Sequence, residues 1–409
     1  MLVKMVEACA DRDAGSMGAH YVAESARRAG YTVEAGPGPC DVELVSVHHC
    51  EDFIRLAAMP RVDRIRIAGG HAMANNCRPA IPYADVICLG EGETWIVEAL
   101  GRLARECHPD VLRGMPGTVV CSDWPCDIPT PVWEPGVPRN PPYLNRAAAG
   151  HAATWYLEMA RGCPFACHYC ELGNTVPYRI QNTAWLCEQL RAIPRGDRVS
   201  LFAPDEASHP GYGDCLRTIA DCGLITMFGS VRADQVTRHD LPFPRNMLLR
   251  VGLDGLTEQT RVRVGKPIMD SDIVDYFSIM SDRGHANFKA FLVVGYPWER
   301  ADDVDQWAAL WERVRRIPRA ANAHVRIKVT PLIPQPSTPL AGCVGRYDLL
   351  MHNRISQWFR RVAKPFRADR PGWFFDQDGQ IMSRRRWKLQ CELTAGNIDA
   401  VRRLSCSVR

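Results

Sequence analysis

Three cysteines near the middle of the chain, Cys163, Cys167 and Cys170, follow the pattern Cys-x3-Cys-x2-Cys. This spacing wraps a short loop around one point, and converging thiolates favour soft metal centres such as zinc, copper(I) or iron–sulfur clusters. A closed structural zinc site uses four protein ligands and an iron–sulfur cluster normally uses four cysteines, but the local set here has three. The pattern therefore predicts a cluster with one iron open to a substrate or cofactor.

Two other interpretations of the pattern stay open. A zinc knuckle can complete its ligands with His168 or a distant cysteine, and in a chain with 17 cysteines the spacing can also arise by chance. The first of these corresponds to a zinc-stabilised nucleic-acid-binding module. The neighbouring residues favour the cluster, because Tyr169 directly precedes the last cysteine and residues 158–162 read as the end of a strand.

The segment from Arg161 to Cys170 resembles the cluster loop of the radical S-adenosylmethionine (SAM) superfamily. The resemblance implies that the three cysteines hold a [4Fe–4S] cluster whose open iron chelates the methionine part of SAM. It also implies a flavodoxin- or ferredoxin-type reductant, whose electron cleaves SAM to a 5′-deoxyadenosyl radical. That radical would remove hydrogen from an unactivated carbon, so an enzyme is expected, in which the cofactors carry the difficult chemistry.

Alternating strand and helix signals follow the cysteine loop and predict the elements that position it. They fit six βα units of a partial (β/α)6 barrel of the TIM type, for which we predict residues 151–345. Catalytic residues of such barrels gather at the carboxyl ends of the strands. The strand candidates are residues 154–159, 199–202, 225–230, 247–251, 288–294 and 324–329.

Residues at the ends of these strands resemble the SAM-binding segments of the superfamily. The stretch around Asp254 is similar to its Gly-x-Glu-x-Gly segment with Asp in place of Glu, and the turn after Val294 matches its Gly-x-Pro-x-Glu turn, near which adenine would pack. The Pro-rich residues 331–339 resemble the loop that closes the sixth unit. The SAM contacts that the resemblance implies are Tyr169, Asp205, Glu206, Ser230, Arg232, Asp254 and Val294.

Residues 1–113 read as a smaller α/β unit with a parallel, Rossmann-like sheet. Apolar runs at residues 2–8, 31–34, 42–47, 64–67 and 85–89 predict strands, and residues 17–29 and 94–105 predict helices. Two Gly-rich spots fall just after strands, where α/β sheets bind ligands. They contain Gly69, Gly70 and His71, and then Gly90 and Glu91.

These two spots resemble loops of the cobalamin-binding domain that precedes the barrel in many radical SAM enzymes, which makes the same five residues possible cobalamin contacts. The sequence departs from that domain at two places. The Asp-x-His-x-x-Gly element that supplies an axial histidine is absent from residues 10–15, and only six residues separate the second and third strands, too few for a helix. A domain that keeps the fold without binding a corrinoid remains the alternative.

Composition places the chain among globular proteins. It has 409 residues, of which 46% are hydrophobic and 23% charged, and no apolar run is long enough to span a membrane. No signal peptide is expected, and scattered cysteines in odd number argue against a disulfide framework, so we predict a reducing cytoplasmic location. Eight prolines make residues 114–150 an extended linker.

The C-terminal segment, residues 346–409, is basic and rich in aromatic residues. From residue 351 onwards it carries 13 Lys and Arg against five Asp and Glu, a net charge of +8 in a chain of net charge +4. Basic side chains neutralise phosphates and flat rings stack on bases, which suits nucleotides. A helical cap with a solvated basic face and core aromatics is the other interpretation. The aromatic residues are Trp358, Phe359, Phe366, Trp373, Phe374, Phe375 and Trp387.

Together these patterns predict a Rossmann-like domain, a Pro-rich linker, a radical SAM barrel and a basic C-terminal cap. The leading functional expectation is cobalamin-dependent methyl transfer to an unactivated carbon. The alternative is a cobalamin-independent rearrangement or fragmentation, which makes the enzyme an isomerase or lyase. Its substrate would be a small molecule, a nucleoside, an amino acid or a nucleic-acid-linked group.

Overall fold

The structure, a computed structural model, describes most of the chain. The described residues are 1–8, 16–61, 63–145, 153–226, 228–236, 239–245, 247–317, 323–362, 373–377 and 384–405. Residues 10–15, from which the axial-histidine element is absent, lie outside the described residues, as does Phe366 of the C-terminal segment.

The first part of the chain folds into a parallel sheet with helices on both faces. Its elements are β1 (Leu2–Glu7), α1 (Met17–Arg28), β2 (Thr32–Ala35), β3 (Val42–Ser46), α2 (Asp52–Ala58), β4 (Ile65–Gly69), α3 (His71–Asn75), β5 (Val86–Cys88), α4 (Glu93–Leu103) and β6 (Thr118–Val120). In the described residues the strand order is β2-β1-β3-β4-β5-β6, and only the last pairing is antiparallel. This is the predicted Rossmann-like sheet, and no helix lies between β2 and β3.

Local signals in the sequence explain these elements. The Ser16 hydroxyl accepts from the Ala19 N–H at 3.3 Å and begins α1, since a serine at this position satisfies an otherwise unpaired donor. One face of the sheet is covered by α1 and α4, through Ala26 and Leu100. The opposite face packs against α2 and, unexpectedly, against residues near the end of the chain.

The second part contains the barrel. Its elements are β7 (Tyr143–Asn145), β8 (Thr154–Glu158), β9 (Ala160–Arg161), α5 (Glu171–Thr175), β10 (Arg179–Ile180), α6 (Thr183–Ala192), β11 (Arg198–Phe202), α7 (Tyr212–Asp221), β12 (Ile225–Thr226), β13 (Phe228–Val231), α8 (Ala233–Val236), β14 (Leu248–Gly252), α9 (Glu258–Arg263), α10 (Asp270–Asp282), β15 (Asn287–Val294), α11 (Asp303–Arg315) and β16 (Ala323–Pro331). All six predicted barrel strands are present. They pair in parallel in the order β8-β11-β12 and in the order β13-β14-β15-β16.

The segment expected to be only a linker also supplies strands to both sheets. Near its start β6 pairs with β5, and near its end β7 pairs antiparallel with β8. The strand β6 contains no proline, and its β-branched residues Thr118, Val119 and Val120 favour extended, paired backbone. All eight prolines of this segment lie outside the two strands, as their missing N–H requires.

The C-terminal segment is a mixture of helix and strand. It comprises α12 (Leu349–Val362), β17 (Trp373–Gln377), α13 (Arg384–Thr394) and α14 (Ile398–Ser405). The interpretation as a helical cap describes only part of the segment, because β17 extends the barrel sheet by pairing parallel with β16. Trp358, Phe359 and Trp387 are 2%, 3% and 9% exposed, so these three rings pack in the core rather than facing a nucleotide.

No helix within the described ranges is long and apolar enough to cross a membrane.

Candidate active site

The cysteine loop lies at the carboxyl end of the first barrel strand, between β9 and α5. It begins at Gly162, whose φ of +70° lies in the left-handed region. A Cβ there would overlap the carbonyl oxygens of Val176 and Pro177, so only glycine allows the chain to turn back at this point. The loop is therefore shaped by its backbone before any metal binds.

Several hydrogen bonds fix the loop in place. The Asn174 side chain donates to the carbonyls of Cys167 at 2.9 Å and Cys170 at 2.7 Å. The His168 N–H donates to the Val264 carbonyl at 2.8 Å, which joins the loop to the segment after α9. These bonds pre-organise the loop.

The three thiols influence one another electrostatically. Burial raises the pKa of Cys163 to about 11, with further upward contributions from Asp205, Cys170 and Cys167. Burial also raises the pKa values of Cys167 and Cys170. Because metals bind thiolates, loading a cluster here would release protons.

The donor set fits a [4Fe–4S] cluster. Three soft sulfur donors lie on one short loop, as such a cluster requires of its protein ligands. Across the described ranges, no three His, Cys, Asp or Glu side chains are arranged around a single metal ion. In a four-iron cluster each cysteine binds a different iron, so the sulfurs of the loop need not share one metal.

A buried charged group lies beside the cysteines. Asp254 follows β14 with φ 44°, and its carboxylate accepts from the Tyr169 hydroxyl at 2.8 Å and from Lys266 Nζ at 2.5 Å. A Cβ on Gly252 would come within 2.7 Å of both charged atoms, so the glycine makes room for this pair. Burial and the Asp254 charge raise the pKa of Tyr169 well above its usual range. Lys266 also acts on Cys167, whose pKa its charge lowers.

The ends of β11 and β13 supply a second set of polar groups. Asp205 accepts from the Ser208 hydroxyl, and burial raises its pKa while the charges of Lys266 and Arg232 lower it. Arg232 pairs with Asp234 at 3.1 Å. Its guanidinium also lies 4.0 Å from the centre of the Phe165 ring, so it packs on the cysteine loop.

Glu206 is engaged within the protein. Its carboxylate accepts from the Tyr212 hydroxyl at 2.8 Å and from the Ser230 N–H at 3.1 Å. Burial raises the pKa of Glu206 to about 8. Glu206 and the Ser230 backbone therefore join the ends of two neighbouring strands.

Val294 ends β15 and is fully buried, and its carbonyl accepts from the Leu332 N–H at 2.7 Å. The turn that follows places Tyr296 edge-on to Tyr169, with ring centres 6.1 Å apart. Trp298 stacks on Tyr296 at 5.6 Å. These aromatic residues form an apolar wall next to the Asp254 group, and the sequence analysis did not single them out.

Glu299 holds the turns after β14 and β15 together. It accepts from the N–H groups of Leu256 at 2.9 Å, Gly295 at 2.7 Å and Tyr296 at 3.2 Å. It is 1% exposed. One buried carboxylate thus satisfies three backbone donors from two loops of the site.

We expect Glu299→Gln to lower the free energy of unfolding by about 1–3 kcal/mol, because the amide nitrogen cannot accept and leaves a buried N–H unpaired. Urea denaturation measures this. Glu312→Gln is the control, since Glu312 forms a surface pair with Arg315 at 3.1 Å and should change stability by less than about 0.5 kcal/mol. Equal midpoints for the two variants would contradict the role assigned to Glu299.

The five residues predicted from the cobalamin resemblance lie at the carboxyl ends of β4 and β5, facing the barrel. A Cβ on Gly70 or Gly90 would overlap the carbonyl oxygens of Val47 and Val132, respectively, so Gly70 serves close packing within the first domain and Gly90 serves close packing against the Pro-rich segment. A Cβ on Gly69 would have ordinary contacts only.

The two side chains of this set contact the barrel. His71 lies 2.7 Å from the Glu171 carboxylate, which directly follows the last cysteine. Glu91 pairs with Arg179 at 2.6 Å and with Arg161 at 3.3 Å. These ion pairs lower the pKa of Glu91 although its burial opposes the shift. The first domain therefore meets the barrel directly beside the cysteine loop.

Other proteins share this architecture. No protein-family model matches the chain. An uncharacterized protein of Methanocaldococcus jannaschii is 24% identical over 306 residues, which cover 71% of this chain and 64% of that protein. A 2-(S-pantetheinyl)-carbapenam-3-carboxylate methyltransferase of Streptantibioticus cattleyicolor is 33% identical over 140 residues, 30% of this chain and 20% of the relative. The chain thus spans less than two thirds of both relatives.

Solved structures match over more of the chain. The radical SAM methyltransferase TsrM of Kitasatospora setae, solved with cobalamin and a [4Fe–4S] cluster, aligns with a TM-score of 0.57 at 14% identity, over 83% of this chain and 76% of that one. The cobalamin-dependent SAM radical enzyme OxsB, solved with aqua-cobalamin and SAM, aligns with a TM-score of 0.59 at 14% identity, over 88% and 56%. At these identities the likeness shows a shared fold: this chain has the fold of TsrM and OxsB over most of its length, as the resemblance in sequence implied.

Proposed function

We propose that the protein is a radical SAM enzyme. The observation that supports this most is the position of the three-cysteine loop, which Tyr169 joins to the buried Asp254–Lys266 pair at the carboxyl ends of the barrel strands. Cys163, Cys167 and Cys170 would hold the cluster. When bound, the cluster and SAM supply reductive cleavage of SAM and a radical able to attack an unactivated carbon.

The residues around the loop would orient SAM. Lys266 offers an ammonium for its carboxylate, and Asp205 a carboxylate for its amino group, while both act electrostatically on the cysteine loop. Arg232 is already paired with Asp234 and packs on Phe165, so it would shape the loop rather than bind SAM alone. Tyr296 and Val294 form an apolar wall that would exclude water near the adenine.

For the reaction we favour methyl transfer to an unactivated carbon of a small molecule, with a corrinoid carried by the first domain. The matching structures are described as cobalamin-dependent radical SAM enzymes, one of them a methyltransferase, and one relative as a methyltransferase. The carboxyl edge of the first sheet also faces the cysteine loop, through His71 and Glu171. When bound there, a corrinoid would supply the methyl group.

A cobalamin-independent rearrangement or fragmentation is the second candidate. It is favoured by the packing of Gly70 on its own domain and of Gly90 on the Pro-rich segment, and by the pairing of His71 and Glu91 with the barrel. A cavity lined mainly by residues 73–78, Ile128, Pro129, Pro131 and Pro336 has a volume of about 220 Å³. Ligand pockets usually start at about 300 Å³, so this cavity is too small for a corrinoid.

Anaerobic purification separates these functions. About four irons per chain, a brown colour and formation of 5′-deoxyadenosine with SAM and a flavodoxin-type reductant would support the radical SAM enzyme. A bound corrinoid together with methylated product would support methyl transfer, and 5′-deoxyadenosine without corrinoid would support the second candidate. Zinc without iron would contradict both and favour the zinc-stabilised module.

A further inference from the structure

A buried group of five charged side chains joins the first domain to the barrel, and we call it the interdomain ion cluster. Its members are Glu91, Glu93, Glu158, Arg161 and Arg179. Arg161 contacts Glu93 at 2.5 Å, Glu158 at 2.9 Å and Glu91 at 3.3 Å. Arg179 forms a bidentate ion pair with Glu91, with N–O distances of 2.6 and 3.0 Å. All five side chains are between 8% and 12% exposed, so these contacts are largely shielded from water.

The two arginines stand at the two ends of the cysteine loop. Arg161 on β9 and Arg179 on β10 are cross-strand partners in a short antiparallel pair. Residues 162–178, which include all three cysteines, form the connection between them. Whatever fixes these two side chains therefore fixes both ends of the loop that would carry the cluster.

The first domain supplies the partners that fix both arginines. Glu91 follows β5, and Glu93 begins α4. The backbone between the two domains joins the same group, because the Glu134 N–H donates to Glu91 at 2.9 Å and the Glu134 carbonyl accepts from Arg179 at 2.6 Å. Bidentate pairs between guanidinium and carboxylate restrict both distance and orientation, so they set geometry as well as adding affinity.

We propose that Glu91 and Glu93 are positioning residues for the cysteine loop, and that through them the first domain sets the geometry of the [4Fe–4S] cluster. In this role the Gly-Glu-Gly-Glu segment acts on the barrel instead of contacting a corrinoid. The proposal rests on the proposed function, since it assigns the loop to a cluster. We call the ion pairs of Glu91 and Glu93 with Arg161 and Arg179 the clamp. The clamp is a property of the protein and can be tested without metal.

Other contacts between the same two parts of the chain provide matched controls. The Asn75 side chain hydrogen-bonds Gln335 at 2.6 Å and Ser337 at 2.8 Å, far in sequence from the cysteine loop. Asn75→Ala therefore weakens the interface without touching the ion cluster. Tyr21→Phe is a local control. The charges of Glu158, Arg161 and Glu93 act on the buried Tyr21 hydroxyl, but among the described residues this hydroxyl has no hydrogen-bond partner.

The first experiment uses metal-free protein. The rate at which iodoacetamide alkylates Cys163, followed by mass spectrometry, should rise about tenfold in Glu91→Gln and further in Glu91→Gln/Glu93→Gln, the change that a loss of about 1.4 kcal/mol of loop stabilisation produces. Glu93→Gln alone should give a smaller rise, since Arg161 keeps Glu158 and Glu91. Asn75→Ala and Tyr21→Phe should match the parent protein. Equal rates in the double variant and the parent would overturn the clamp.

The second experiment uses iron-loaded protein. In Glu91→Gln the electron paramagnetic resonance spectrum of the reduced cluster should change, and SAM should bind about tenfold to a hundredfold more weakly, since small displacements of a reactive group cost that much. Unchanged spectra and SAM affinity in a variant with full iron content would refute the positioning role. If the parent protein binds no iron, the proposed function fails, while the alkylation rates still decide on the clamp.

Discussion

Cys167→Ala should abolish formation of 5′-deoxyadenosine and remove most of the bound iron. Cys167 is the most buried of the three cysteines, at 7% exposure, and its loss leaves a second iron of the cluster without a protein ligand. The fold should survive, because removing one sulfur costs only about 1 kcal/mol. Iron analysis and chromatography of the SAM cleavage products measure the two effects.

The same result is expected for Cys163→Ala and Cys170→Ala. Cys107 is exposed and lies outside the site, so Cys107→Ala should retain iron and activity. A Cys167→Ala protein that keeps four irons and still cleaves SAM would show that the loop does not hold the cluster.

Lys266→Gln should weaken SAM binding by at least about tenfold and lower the free energy of unfolding by about 3 kcal/mol. Lys266 is 8% exposed, and among the residues that the structure describes its removal leaves the buried carboxylate of Asp254 with the Tyr169 hydroxyl as its one side-chain partner. Isothermal titration with SAM and urea denaturation, both performed anaerobically, separate the two losses. Lys328→Gln, on an exposed position of β16, should change neither.

A double variant distinguishes binding from stability. Lys266→Gln/Asp254→Asn removes both charges, and asparagine tolerates the left-handed backbone at this position. We expect it to recover most of the lost stability, because replacing a whole buried pair costs far less than breaking it. SAM affinity should stay low. Full recovery of SAM affinity in the double variant would mean that Lys266 acts only by neutralising Asp254.

The barrel was predictable because its strands are rich in apolar residues. β15 and β16 alternate buried and partly buried side chains along most of their length, and their sequences carry this pattern plainly. The cysteine loop was equally visible, since its residues are adjacent in sequence. The boundaries between the domains and the roles of the individual site residues remain predictions.

The contacts that organise the site could not be predicted from the sequence. Tyr169 meets Asp254 across 85 positions, and Arg179 meets Glu91 across 88. No local pattern signals such pairs, because their partners are brought together only by the packing of whole domains. β17 was missed for a related reason. Its apolar residues were interpreted as part of a cap that is either helical or faces a nucleotide, whereas the strand forms by pairing with β16, which is distant in sequence.

The last two helices make completion of the first domain depend on the end of the chain. Leu393 and Val401 are fully buried in the same apolar core as Phe53 and Leu56 of α2, and Asn76 donates to the Thr394 carbonyl at 3.0 Å. A ribosome adding about 5–20 residues per second needs roughly 15 to 50 s to pass from the end of the first sheet to these helices. During that time one face of the nascent domain is covered only in part, by α2. The N-terminal core is thus finished only after α13 and α14 have been synthesised, and an N-terminal fragment without them should aggregate.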